Sequence, residues 1–319
     1  MLSYTVAIRT LALAPETLLR VIEGVFSQTV APRSVRIYIA EGYAPPQWRV
    51  ADERYISVPK GMMSQRLLDY EDVDTDCILM LDDDLVLGAD VSGRLLEGME
   101  QGGYDLMGAD VCCSSSLSLL GKIKAAAVNL TLPHFNPRKG FVMRPSGSFS
   151  YPLSPEPLVL PSDTCAGPLM LWRVESYRAL HLKDELWLEC EGFSYADDAL
   201  ISYKAVVNGM RVGVDFGADV TNLDTRTSSN KYRNDPRRHF IRAKLITMAW
   251  WRMNYRPSGT PSIRALIHGT GKLLWMGAVM TAVSIATLSP APLMSALRGW
   301  RQGLREARRL ISPYVMAKD

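Results

Sequence analysis

Residues 77–84 read Cys77-Ile78-Leu79-Met80-Leu81-Asp82-Asp83-Asp84. An apolar run of this length, rich in branched residues and flanked by acidic, turn-prone sequence, reads as a strand buried on both faces. The three carboxylates therefore stand at its carboxyl end. In open α/β sheets ligands bind at that edge, and adjacent like charges repel unless a cation or polar partner offsets them. A hard divalent metal carrying a phosphorylated substrate meets the requirement. The plain alternative is a solvated acidic turn, and the position after a buried strand weighs against it.

Working outward, residues 4–8 read as a strand and residues 15–29 as a helix with Leu18, Leu19, Ile22, Val25 and Phe26 on one face. Residues 34–40 read as a second strand, and residues 60–70 as a helix leading into the acidic strand. This alternation predicts a parallel, doubly wound α/β sheet. No Gly-x-Gly-x-x-Gly follows the first strand. His268-Gly-Thr-Gly-Lys272 fails the P-loop pattern, because Leu266 and Leu273 stand where Gly and Ser/Thr are required. From residue 114 to 163 the pattern loosens into Gly, Pro and Ser punctuation, with hairpin-like pieces near 140–143, 148–151 and 158–160. It is expected to be a loop-rich insertion on the acceptor side of the site. A second acidic group follows, Glu189, Glu191, Asp197 and Asp198, the last two opening an amphipathic helix that stops at Asn208-Gly209. Acids favour helix N-termini for dipole reasons alone, so this pair has an ordinary explanation too.

The chain has 319 residues, 47% hydrophobic and 22% charged, enough for a full core. Five cysteines without a Cys-x-x-Cys pair suggest neither a disulfide framework nor a zinc site, and point to a reducing compartment. The first residues lack the basic and long apolar parts of a signal peptide. The net charge of +3 conceals a division: residues 1–225 hold 19 Lys and Arg against 30 Asp and Glu, and residues 226–319 hold 17 against 3. A basic tail on an acidic body seeks a polyanion, nucleic acid or an anionic membrane surface. Residues 273–288 carry no charge but are short for a bilayer span. Beyond them Leu293, Leu297, Trp300, Leu304, Ala307 and Ile311 recur at helical spacing, with five arginines on the other faces. That pattern suits a membrane surface, entered shallowly or in plane, and the tail has no nucleic-acid motif. A buried apolar helix under a basic one is the competing reading.

The order of these features resembles family 2 nucleotide-sugar glycosyltransferases of the GT-A fold. The likeness spans residues 4–224: a strand ending in Asp-x-Asp, then an acidic pair opening a helix that closes with Gly209 and a short strand through Val214. Gln28-Thr29-Val30-Ala31-Pro32 matches the family's Gln-Thr-x-x-Pro turn, and Cys165 to Arg173 resembles its small-residue strand before the acceptor loop. The resemblance implies a GT-A catalytic domain at 1–225 and a helical membrane-associating region at 226–319. It implies an inverting, metal-dependent transfer from a nucleotide-diphosphate sugar to a saccharide, on a lipid-linked acceptor if the tail reading holds, as in surface polysaccharide synthesis. The expected location is the cytoplasmic face of a bacterial inner membrane.

Carried over by position, Asp82 and Asp83 fall on the donor side with Arg9, Thr10, Glu41, Lys60 and Arg66. Asp84 falls on the metal, Mn²⁺ or Mg²⁺, with Asp224 or Asn222 as a further ligand. Asp198 is the expected general base with Asp197 beside it, and Lys204 sits where the family often has a basic residue. Arg226, Lys231, Arg233, Arg237 and Arg238 are candidates to clamp the diphosphate. The family's acidic pair after the second strand is reduced to Glu41, and the Gln-x-x-Arg-Trp signature of processive synthases is absent. Two other classes remain: a metal-dependent nucleotidyltransferase, though without the usual Gly- and Lys-rich N-terminal loop, and a noncatalytic nucleotide-sugar-binding or scaffold protein.

Overall fold

The computed structural model of the chain describes residues 2–111, 118–129, 131–223, 235–254 and 262–310. The first half runs β1 (Tyr4–Thr10), α1 (Pro15–Phe26), β2 (Ser34–Ala40), β3 (Arg54–Val58), α2 (Met62–Arg66), β4 (Cys77–Asp82), β5 (Leu85–Leu87), α3 (Val91–Gly102) and β6 (Leu106–Ala109). An inserted part holds α4 (Leu119–Asn129), β7 (Leu132–His134), β8 (Val142–Met143) and β9 (Phe149–Pro152). The chain returns through β10 (Val159–Ser162), β11 (Leu169–Arg173), α5 (Val174–Ala179), β12 (Glu189–Cys190), β13 (Phe193–Ser194), α6 (Asp197–Val207), β14 (Val212–Asp215) and β15 (Val220–Asn222). Three helices close it: α7 (Pro236–Asn254), α8 (Ile263–Ala286) and α9 (Ala291–Leu310).

Eight strands form the central sheet in the order β10-β14-β6-β11-β4-β1-β2-β3. The continuous apolar run of β4 is explained by burial on both faces: Cys77, Leu79 and Leu81 pack with Leu18, Ile22 and Leu95 of α1 and α3. Ile78 and Met80 face the other layer, with Met63, Trp172, Tyr177 and Leu200. Parallel pairing of β1 with β2 and β4, and of β2 with β3, brings Thr10, Ala40, Val58 and Asp82 to one edge.

The sheet is mostly parallel rather than wholly so. β11 runs antiparallel to β4 and β6, and β10 antiparallel to β14. This reversal positions the site, because the residues that lead into β11 arrive at the same edge as the end of β4. It also corrects the reading of residues 158–160, which belong to an edge strand of the central sheet and not to a hairpin of the insertion. The insertion itself is more ordered than its punctuation suggests, with a helix and a three-stranded β7-β9-β8 sheet. The helix expected over 60–70 is confined to α2. Tyr70 adopts a positive φ and is buried with Leu67, and the carbonyls of Tyr70, Glu71 and Val73 accept hydrogen bonds from the Arg178 guanidinium instead of from a helix.

α7 is part of the core on its inner side, where Ile241, Leu245, Met248 and Ala249 are buried. α9 lies against it at close range: a Cβ on Gly303 would fall 2.6 Å from the Lys244 carbonyl oxygen, and Lys244 Nζ pairs with Glu306 at 2.7 Å. α8 differs, since only Ala265 and Gly269 along its length are buried. Its apolar segment is therefore not a covered core helix. Among the described residues no helix is long and apolar enough to cross a membrane.

Candidate active site

The two acidic groups come together around the short turn that leads into β11, Ala166-Gly167-Pro168. The Asp82 amide donates to the Pro168 carbonyl at 3.0 Å, as β4 pairs with the incoming chain. One residue earlier, the Gly167 amide donates to Asp198 Oδ2 at 3.2 Å, and the Asp198 Oδ1 accepts the Ala199 amide at 2.8 Å. Gly167 also accepts a hydrogen bond from Arg9 Nη2 at 3.4 Å. Only glycine fits here: a Cβ would lie 2.8 Å from both Arg66 Nη1 and Asp198 Cβ.

Two arginines balance the acids. Arg9, in β1 directly opposite Asp82, forms an ion pair with it. Arg66, buried at the end of α2, forms an ion pair with the buried Asp197. Burial disfavours both guanidinium charges; Asp197, Asp82 and Asp198 outweigh it at Arg66 and hold that pKa up, while at Arg9 burial and the charge of Arg66 prevail and it moves down. The Thr10 hydroxyl donates to the Asp83 carboxylate. Asp83 is nonetheless pushed up to about 6, chiefly by burial, with the charges of Asp82 and Asp84 adding and the Thr10 bond opposing. Asp198 is also pushed up, by burial and then by Asp197, against the pull of Arg66 and the two backbone amides.

Asp84 sits where β5 begins, and its carbonyl accepts the Leu223 amide at 2.8 Å. Pairing of β5 with β15 places Asn222 opposite Leu85, beside the acids. Asp224, Arg226, Lys231 and Arg233 lie outside the described residues. Among the described residues no three Asp, Glu, His or Cys side chains converge as a ready-made metal cage. The donor set still suits Mn²⁺ or Mg²⁺ held by one or two carboxylates with substrate phosphates completing the shell. A partly buried Asp83 between two more carboxylates is an excess of negative charge that such an ion would relieve.

Glu41 and Lys60 stand on the same edge two strands away, after β2 and β3, and are exposed. Lys60 Nζ reaches the Tyr43 hydroxyl at 2.9 Å and lies 4.9 Å from the centre of its ring. Glu189 and Glu191 serve structure. Glu189 accepts the Met63 and Ser64 amides at the start of α2, and Glu191 pairs with Arg237. Lys204 is turned away from the acids into a buried triad with Glu185, which it meets at 3.0 Å and which Arg252 of α7 meets at 2.7 Å.

With this geometry in hand, comparison with known proteins separates sequence from shape. No known family matches the sequence, and no curated protein does. Among solved structures, residues 1–349 of TarS from S. aureus superpose with a TM-score of 0.50 at 11% identity, over 97% of this chain and 83% of that one. The fold is GT-A-like. A mixed sheet with a helical C-terminal region is shared along almost the whole chain.

Two parts of the site escaped sequence reasoning. One is the role of Gly167 as the joint of the site, since the small-residue stretch from Cys165 to Arg173 carries a family likeness but nothing of the contact with Arg66 and Asp198. The other is Gln65, whose buried amide donates to the Thr10 carbonyl at 3.1 Å and to the Tyr38 carbonyl at 3.4 Å. It ties the ends of β1 and β2 together, and no pattern marks it.

Proposed function

We propose that this protein is a metal-dependent, inverting glycosyltransferase of the family 2 type, moving a sugar from a nucleoside-diphosphate donor to a lipid-linked saccharide. The observation that carries this reading is the bridge through Gly167 and Pro168, which brings the acids after β4 and the acids of α6, as two separate groups, to one backbone segment. An inverting transfer needs that division: a base at the acceptor hydroxyl and charge neutralisation at the leaving diphosphate. The GT-A-like shape shared with TarS, a glycosyltransferase, supports the reaction class.

In this reading Asp198 takes the proton of the acceptor hydroxyl as its oxygen forms the new bond to the anomeric carbon. The bond from that carbon to the diphosphate breaks, and the nucleoside diphosphate leaves with the electron pair. Burial and then Asp197 raise the basicity of Asp198, which favours uptake of the acceptor's proton. The Arg66–Asp197 pair fixes the start of α6, and the Gly167 amide fixes the carboxylate. Asp84 with Asp82 or Asp83 would hold Mn²⁺ or Mg²⁺, which supplies neutralisation of the developing diphosphate charge. Arg9 and Thr10 order those acids, while Tyr43, Lys60 and Glu41 offer a ring, a cation and an acceptor to the nucleoside.

The same reading places the protein on the inner face of a bacterial membrane. Along α8 the outward stripe is Ile267, Gly271, Leu274, Trp275, Ala278, Ala282 and Ile285, free of charge. α9 adds exposed Arg298, Arg301, Arg305, Arg308 and Arg309 for anionic lipids.

The experiment is a thermal-shift titration with UDP, GDP, dTDP and CMP sugars and with the nucleoside triphosphates, in Mn²⁺ and in EDTA. A metal-dependent shift with one class, lost in Asp84→Ala and kept in Asp198→Asn while turnover disappears, supports the assignment. A shift with nucleoside triphosphates alone favours nucleotidyl transfer. Binding without turnover by the unaltered protein favours a scaffold.

A further inference from the structure

Away from the acids, an open cavity of about 510 Å³ lies between the insertion and the start of α8. That is the size range of ligand sites. Three cationic side chains line it, Lys139 and Arg144 from the insertion and Arg264 from α8, together with Asn136, Ser150 and the imidazoles of His134 and His268. Arg264 and His268 are four residues apart and so share one helical face. One carboxylate approaches, Asp163, 3.6 Å from Lys139. Among the described residues neither Arg144 nor Arg264 has a carboxylate partner.

Exposed apolar side chains adjoin the lining residues along the chain and stand on the neighbouring α4. Leu119, Leu120 and Ile123 of α4, Phe135 after β7, and Ile263 and Ile267 of α8 all stand in solvent, with Phe135 89% exposed. α4 packs against α8. Cations, two of them without a carboxylate partner among the described residues, beside exposed hydrophobic side chains match an anionic group attached to a hydrocarbon chain, and match neither a free sugar nor a nucleic acid. The groove is also tied to the candidate active site. Asp163 at its edge is four residues from Gly167, a chain length of at most about 14 Å.

We propose that this groove binds the phosphate or diphosphate of the lipid-linked acceptor, with the lipid chain along α4 and α8 and the sugar directed toward Asp198. The proposal rests on the glycosyltransferase reading for its acceptor, but its binding step stands apart from the reaction. Arg144 and Arg264 are the anion ligands, and the exposed apolar side chains hold the lipid.

The test is flotation of the full-length protein with neutral phosphatidylcholine vesicles. One set carries a long-chain alkyl diphosphate, a second carries phosphatidylglycerol at equal charge, and inorganic pyrophosphate is titrated separately. The expected result is tighter retention by the alkyl diphosphate, weakened about tenfold in Arg144→Gln and in Arg264→Gln, the scale of one charge-assisted hydrogen bond. Weak retention by phosphatidylglycerol should be unchanged in both variants. Arg264 is exposed, so its replacement leaves folding intact. Equal retention by both anionic lipids, retention untouched by both variants, or pyrophosphate binding as tight as that of the lipid would each overturn the proposal. Nucleotide-sugar thermal shifts on the same variants separate the outcomes. Normal donor shifts without lipid selectivity sink only the groove, whereas lipid selectivity without any donor shift sinks the transferase.

Discussion

Gly167→Ala is the sharpest perturbation of the site, because it adds one methyl group where two functional side chains converge. The new Cβ would stand 2.8 Å from Asp198 Cβ and 2.8 Å from Arg66 Nη1. Carbon atoms in comfortable contact sit about 3.5–4.0 Å apart, so the neighbours must retreat by more than half an ångström. Arg66 is held by Asp197, and Asp198 is fixed to the first turn of α6, so neither side yields without cost. Overpacking of this kind costs about 1–3 kcal/mol. The larger effect falls on the reaction, since displacement of a base by a fraction of an ångström to 1 Å costs up to about 100-fold in rate. Donor binding, centred on the acids after β4, should change little. The measurements are turnover with the identified donor, donor affinity by calorimetry, and thermal unfolding. Turnover within about twofold of the unaltered protein, in a variant that is folded, would show that Gly167 does not position Asp198 and would refute the bridge as the organising feature.

Three further outcomes are expected. Glu185→Ala leaves Lys204 and Arg252 buried without their shared carboxylate and should cost about 3–5 kcal/mol, a fall in Tm of about 6–20 °C, with Glu185→Gln milder; an unchanged melt refutes the triad as a structural element. In the absence of divalent metal, the folded Asp83 keeps its proton to about pH 6, whereas the unfolded carboxyl releases it near 3.8, so stability from this group is present at low pH and lost as pH rises between those values. Melts of metal-free protein from pH 4 to 7 should show a decline that Asp83→Asn removes and Mn²⁺ offsets; parallel profiles for the two proteins refute it. Leu274→Glu with Ile285→Glu should abolish flotation with anionic vesicles without changing the melt; undiminished flotation would exclude α8 as the contact surface.

The run from Cys77 to Asp84 was readable because a short apolar run rich in branched residues, bounded by acidic, turn-prone sequence, suits a strand buried on both faces better than a helix. The helix of Asp197 and Asp198 was readable from its acidic start and its stop at Asn208-Gly209, although it buries most of its circumference and not one apolar face. Strand β3 escaped because Arg54 and Tyr55 give it no clean alternation, as befits the outer strand of a sheet. The antiparallel turn of β11 was not legible either, since strand direction depends on where the preceding loop can reach. With it went the joint at Gly167, because a close approach between segments 101 residues apart for Arg66, and 31 for Asp198, leaves no local pattern. The short α2 had the same cause: distant Arg178, not the local sequence, satisfies the carbonyls after it.

The Lys204–Glu185–Arg252 triad joins the helix of the candidate base to α7, and α9 lies fast on α7 at its glycines. The C-terminal helices are therefore a mount and not a tether. If α8 rests on a surface, as the proposed function has it, the packing of α8 on α9 and of α9 on α7 would hold Asp198 at a set distance from that surface. Such a mount would select by height, favouring acceptors whose reactive hydroxyl stands at that elevation over longer or shorter ones, even when their sugars are identical.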